Sequence, residues 1–81
     1  MSPEKLVRMA NQIATFFASQ GEDAAPAAVA SHLRQFWDPR MRRTLIEFAT
    51  TGGEGLDPVS AKAVSLLARG ANARSDLKQE P

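Results

Sequence analysis

The sequence predicts an all-α protein: a small bundle of three to four helices with short loops and a flexible C-terminal tail. Three observations carry that expectation. Apolar residues recur at helical spacing in four successive stretches, and no segment alternates with period two. The dipeptide Asp-Pro occurs twice, at Asp38-Pro39 and Asp57-Pro58, each time directly before such a stretch. Glycines at 21, 52, 53, 55 and 70 fall between the stretches or at their ends, where helices stop.

The first helix is expected over residues 2–20. Ser2 can cap it, Pro3 suits its first position, and Met1 can staple to Leu6 across the cap. Leu6, Met9, Ala10, Ile13, Phe16 and Phe17 share one face, with Lys5, Arg8, Gln12, Thr15 and Ser19 opposite. Val7 and Ala14 widen the apolar side, as in a helix covered from two directions. Gly21 then serves as the residue beyond the C-cap.

The second helix is expected from about Ala24 to Trp37, with Asp23 as cap and Pro26 in the first turn. Its apolar face is Val29, Leu33, Phe36 and Trp37. Pro39 drives Asp38 out of the α region, so this helix ends near Trp37. The same proline suits the first turn of a third helix, which Asp38 caps by accepting from the N–H of Arg40 or Met41. That helix runs to about Thr51, with Met41, Leu45, Phe48 and Ala49 inward, and the glycines at 52–55 end it. Asp57-Pro58 repeats the device for a fourth helix, with Val59, Ala63, Leu66 and Leu67 inward and Gly70 closing it. Residues 1–70 therefore form a single helical domain. Residues 71–81 hold one large apolar side chain, Leu77, and are expected to be a flexible tail.

Eighty-one residues make one small domain at most. Fourteen are alanine, which leaves 21 larger apolar side chains and a core thin enough to favour a partner. The absence of cysteine excludes disulfides, thiolate zinc sites and cysteine-ligated iron–sulfur clusters. A net charge of +1 argues against bulk attraction to nucleic acid. No apolar run approaches the roughly 18–20 residues of a membrane span. Glu4, Lys5 and Arg8 make the first turns unlike a secretory signal, and a cytoplasmic location is expected.

Catalytic and metal-ligating parts are scarce. His32 is the single histidine, one turn before Phe36, and reads as a structural or solvent-edge residue. No serine or threonine has a base implied nearby, so no catalytic residue and no metal site is nominated. The glycines at 52–55 lack a preceding strand and a following Gly-Lys-Ser/Thr, and read as a helix terminator rather than a phosphate loop.

The segment 32–43 carries the stronger signal. Arg34, Arg40, Arg42 and Arg43 stand against one acid, Asp38. Arg40 and Arg43 fall on the outer face of the third helix. Arg42 falls at the edge of the apolar face, where a guanidinium needs a partner. Either it pairs with Asp38 or stacks on Trp37, or it reaches a carboxylate or phosphate on another molecule. Phe16-Phe17 and Phe36-Trp37 are adjacent pairs, and each subtends about 100° around its helix, so at least one ring reaches the domain edge. Aromatic rings beside arginines are the usual composition of an interface hot spot.

Two stretches resemble a known family. Met9-Ala10-Asn11-Gln12-Ile13 with Phe16-Phe17, and His32-Leu33-Arg34 with Phe36-Trp37-Asp38-Pro39-Arg40-Met41-Arg42, are similar to the delta subunit of NAD-dependent, molybdenum-containing formate dehydrogenase. Gly55-Leu56-Asp57-Pro58 fits the same pattern, and the resemblance covers about residues 3–70. It implies a small accessory subunit of a cytoplasmic complex. Other subunits of that complex would carry bis-molybdopterin guanine dinucleotide, iron–sulfur clusters, FMN and the NAD site, and none of these would be bound by this chain. The expected partner is the large molybdenum-bearing subunit, whose assembly, stability or cofactor insertion the chain would support.

The expected docking surface is the corner at Phe36–Arg43 with the wide face of the first helix. Asn11, Gln12, Arg34, Arg40, Arg42 and Arg43 would supply polar contacts, with Phe17 and Phe36 or Trp37 as apolar anchors. Two rival expectations are a maturation factor that binds the pterin cofactor directly and a small nucleic-acid-binding protein. The isolated chain could also self-associate, because the apolar face meant for a partner would then be exposed.

Overall fold

In a computed structural model, the backbone is described for residues 2–79 and the side chains for residues 2–70. Four helices form the described chain: α1 (Pro3–Ala18), α2 (Ala25–Phe36), α3 (Pro39–Thr50) and α4 (Pro58–Gln79). No strand occurs among the described residues. The expected staple from Met1 lies outside them.

Local chemistry sets most of the helix ends. The Ser2 hydroxyl accepts from the Lys5 N–H at 3.3 Å, and Pro3 opens α1. Asp38 Oδ1 accepts from the Met41 N–H at 2.9 Å, and Asp57 Oδ1 from the Ser60 N–H at 2.8 Å, so both Asp-Pro pairs start helices. α3 closes in a Schellman motif. The Gly53 N–H donates to Phe48 O at 3.0 Å and the Gly52 N–H to Ala49 O at 3.4 Å. Gly52 (φ +128°) and Gly53 (φ +62°) make this turn without the Cβ strain that another residue would meet there.

Two expected boundaries are corrected. Asp23 does not cap α2. The N-cap is Ala24, which has no side-chain acceptor, and the first turn relies on Pro26, which has no N–H to satisfy. Gly70 does not close α4, whose helical backbone continues to Gln79. A glycine ends a helix by adopting positive φ, and Gly70 does not. Its missing Cβ instead leaves room for Arg34 of α2. A Cβ at Gly70 would stand 3.1 Å from Arg34 Nη2.

The core sits between all four helices. α2 and α4 share the largest interface, α1 lies across α2, α3 and α4, and α3 packs on α4 and α1. Leu6, Val7, Ala10 and Ala14 of α1 meet Val29, Ala30 and Leu33 of α2, with Trp37, Leu45, Ala63, Val64 and Leu67 completing the cluster. Alanines at 10, 14, 30 and 63 let the helix backbones approach closely, so few large side chains suffice to exclude water. Val7 and Ala14, read as a widening of the apolar side, are buried alongside Leu6 and Ala10, and Phe16 points out. α1 is rotated because it serves α3 and α4 as well as α2. On α3 only Leu45 is fully buried, while Met41, Phe48 and Ala49 are half-buried. α4 is likewise turned, burying Ser60 and Val64 with Ala63 and Leu67, while Val59 and Leu66 stand at the flank.

Ser60 is the polar residue in that apolar face. It is fully buried, and its hydroxyl has no partner among the described residues. A buried hydroxyl without a hydrogen bond loses hydration for no return. Ser60→Ala is therefore expected to raise stability by up to about 1 kcal/mol, since alanine is also the better helix former. A rise in the urea midpoint at unchanged m-value checks this, and a clear fall would show that the hydroxyl is satisfied in solution.

Candidate docking surface

The aromatic residues divide sharply. Trp37 follows the last residue of α2 in extended conformation (φ −91°, ψ 140°), and its indole turns into the core. Phe36, one residue earlier on the helix, is 70% exposed. Trp37 is thus withdrawn from the candidate anchors, because its surface is already spent inside the chain. Phe16 is 57% exposed at the far end of α1, and Phe17 beside it is half-buried against α2.

Two exposed rings and two half-buried ones form one continuous row. The Phe16 and Phe17 centroids are 5.2 Å apart at 74°. Phe17 meets His32 of α2 edge-on at 6.0 Å, and His32 lies 4.7 Å from Phe36, one helical turn further on. The last turn of α1 lies against the second half of α2, so four rings cross from helix to helix. Sequence reading named Phe17 and Phe36 but left Phe16 in the core and His32 at an edge. The available signal was the i, i+4 spacing of His32 and Phe36 on the side of α2 opposite Ala30.

The polar candidates separate into structural and free groups. Asn11 is half-buried and works within the fold. Its Nδ2 donates to Gly55 O at 2.8 Å, and its Oδ1 accepts from the Asp57 N–H at 3.1 Å. One amide of α1 thereby holds both sides of the α3–α4 loop. Arg42 also turns inward. Its Nη1 donates to the Arg34 carbonyl at 2.6 Å, a group otherwise left open at the C-terminal end of α2. This is neither of the local partners expected, Asp38 or Trp37. A guanidinium there offsets the negative end of the helix dipole. It also ties α2 to α3, the pair of helices that touch least among the described residues. Gln12, Arg34, Arg40 and Arg43 are exposed, and no side-chain hydrogen bond engages Gln12, Arg40 or Arg43 among the described residues. Gln12 sits apart from the arginine corner, one turn before Phe16 on α1.

Elsewhere the surface offers little chemistry. Among the described residues, no group of three or more His, Asp or Glu side chains is placed to hold a metal ion. The glycine loop is a helix terminator, with the Asp57 carboxylate on the N-terminus of α4 where a phosphate would have to bind. No described helix is long and apolar enough to cross a membrane.

Asn11→Ala is expected to cost about 1–2 kcal/mol, because it strips the Asp57 N–H and the Gly55 carbonyl of their partner together. Arg42→Ala is expected to cost a similar amount, about 1–2 kcal/mol, and to fray the end of α2. Urea unfolding of each variant measures the loss. Hydrogen exchange separates them, with Asn11→Ala exposing amides near 55–61 and Arg42→Ala those near 34–37.

In the comparisons, the sequence matches over residues 5–64 the family described as NADH-dependent formate dehydrogenase delta subunit, FdsD. No curated protein and no solved structure gives a match. The matched span begins in α1, takes in all of α2 and α3 and ends within α4, so it contains the aromatic row, the Asn11 latch and the Asp38-Pro39 corner. The chain belongs to the NADH-dependent formate dehydrogenase delta subunit family, and with it to an oxidoreductase complex whose other subunits it joins.

Proposed function

We propose that the chain is a non-catalytic docking subunit that binds the large, molybdenum-bearing subunit of a cytoplasmic formate dehydrogenase and keeps it stable or competent for cofactor insertion. The observation that carries this reading is the row Phe16–Phe17–His32–Phe36. A domain of 81 residues with a thin core leaves two of its four phenylalanines more than half exposed, side by side with two more rings. Such a patch costs free energy in water and returns it on burial against a partner.

The redox groups of the complex belong, in this reading, to other subunits. The sequence has no cysteine to ligate a cluster, and its one histidine is packed between Phe17 and Phe36. Arg42 is committed to the end of α2 and Arg34 lies over Gly70, which leaves Arg40 and Arg43 as the exposed arginines of the 32–43 segment for a partner.

Phe16→Ala combined with Phe36→Ala is expected to weaken association by about 2 kcal/mol or more, as truncation of hot-spot aromatics does. Circular dichroism of the isolated double variant should match the wild type, since neither ring is buried. Co-purification with the formate dehydrogenase subunits measures the effect. Undiminished recovery of the complex with the double variant would remove the row from the interface.

A further inference from the structure

The row of rings has one polar member, His32. We infer that His32 is a contact residue of the docking surface, donating a hydrogen bond from its imidazole to an oxygen acceptor on the partner subunit, and that this bond sets which surface the row accepts. This rests on the docking reading and adds to it the polar contact that the rings require.

The first observation is placement. His32 is half-buried, and its ring lies 6.0 Å from that of Phe17 and 4.7 Å from that of Phe36. One contact comes from α1 and the other from the next turn of α2, so the imidazole is held from two sides. A side chain already held in place gives up little rotamer freedom when a partner binds it.

The second observation is the state of the ring nitrogens. No hydrogen bond among the described residues engages either of them. Nor are they sealed in the interior, since Ser60 Oγ is the buried side-chain polar atom left without a partner among the described residues. Nitrogens that are neither bonded within the described fold nor shut away from water lie at the surface.

These two observations fix what docking demands. The row runs Phe16, Phe17, His32, Phe36, so a partner that covers the two exposed phenylalanines also covers His32. Its nitrogens then lose water. A polar group covered without a new hydrogen bond opposes association by an amount comparable to what one buried ring contributes. In either protonation state an imidazole carries at least one N–H, so the group that offsets this loss is an acceptor oxygen on the partner. Phenylalanine at position 32 would supply apolar area with no such demand. Histidine instead makes the row reject a wholly apolar surface.

The test uses the assembled complex and the full chain. His32 is the single histidine, so deuterium exchange at the imidazole Cε1–H reports on it alone. Exchange measured by mass spectrometry is expected to slow about fivefold or more when the chain enters the complex. His32→Phe is expected to weaken association about tenfold despite its added apolar area, because the partner's acceptor is left unpaired. His32→Ala, which introduces no bulk that could clash, is expected to weaken it at least as much. Association as tight as wild type with either variant, or unchanged exchange at His32 in an intact complex, overturns the inference and leaves the docking reading standing. Failure of the unmodified chain to co-purify with any formate dehydrogenase subunit overturns the docking reading itself.

Discussion

Neighbouring side chains on a helix diverge by about 100°, and at Phe36 and Trp37 that constraint decides the character of the molecule. A small domain needs its largest side chain inside. Pro39 stops α2 at the point where the Trp37 backbone goes extended and the indole folds under the corner. With Trp37 inside, Phe36 has no inward path. The corner that completes the core also presents an aromatic ring to solvent, and α1 brings Phe16 and Phe17 alongside it. Core and exposed aromatic row are two sides of one turn.

The remaining contacts keep that turn in place. α2 and α3 share little packing, so the Arg42 guanidinium on the Arg34 carbonyl carries much of the connection between them. Arg34 in turn lies over Gly70 of α4, where a larger residue would crowd it. Two contacts, Arg42 to Arg34 and Arg34 to Gly70, link α3, α2 and α4. Alanine-lined interfaces do the rest, since close backbone approach replaces bulk in a chain short of large apolar residues.

Four helices and both Asp-Pro starts were legible in the sequence, because capping and proline stereochemistry act over three or four residues. The Gly52-Gly53 stop was legible for the same reason. The α2 start at Ala24 and the passage of α4 through Gly70 were not, because tertiary neighbours settle those ends. Helix faces were read to within about one residue position, since periodicity gives the width of a stripe and only packing gives its centre. Phe16 was misplaced on that account, and Ser60 was not anticipated in the core. Phe17 and Phe36, named from the sequence, stand in the row of rings, whereas Asn11 and Arg42 carry polar groups whose targets are backbone atoms. Residue type alone says nothing of such targets.

The Asn11 latch has a consequence for the order in which the chain folds. Its two bonds join residues 44 and 46 positions apart, whereas each helix forms from contacts within a few residues. Closing a loop costs chain entropy that forming a helix does not, so the latch is expected to close after the helices. Contacts made after the rate-limiting step govern how fast the native state opens rather than how fast it is reached. A single amide on α1 thus acts as a clasp whose loss shortens the lifetime of the folded subunit while hardly delaying its formation.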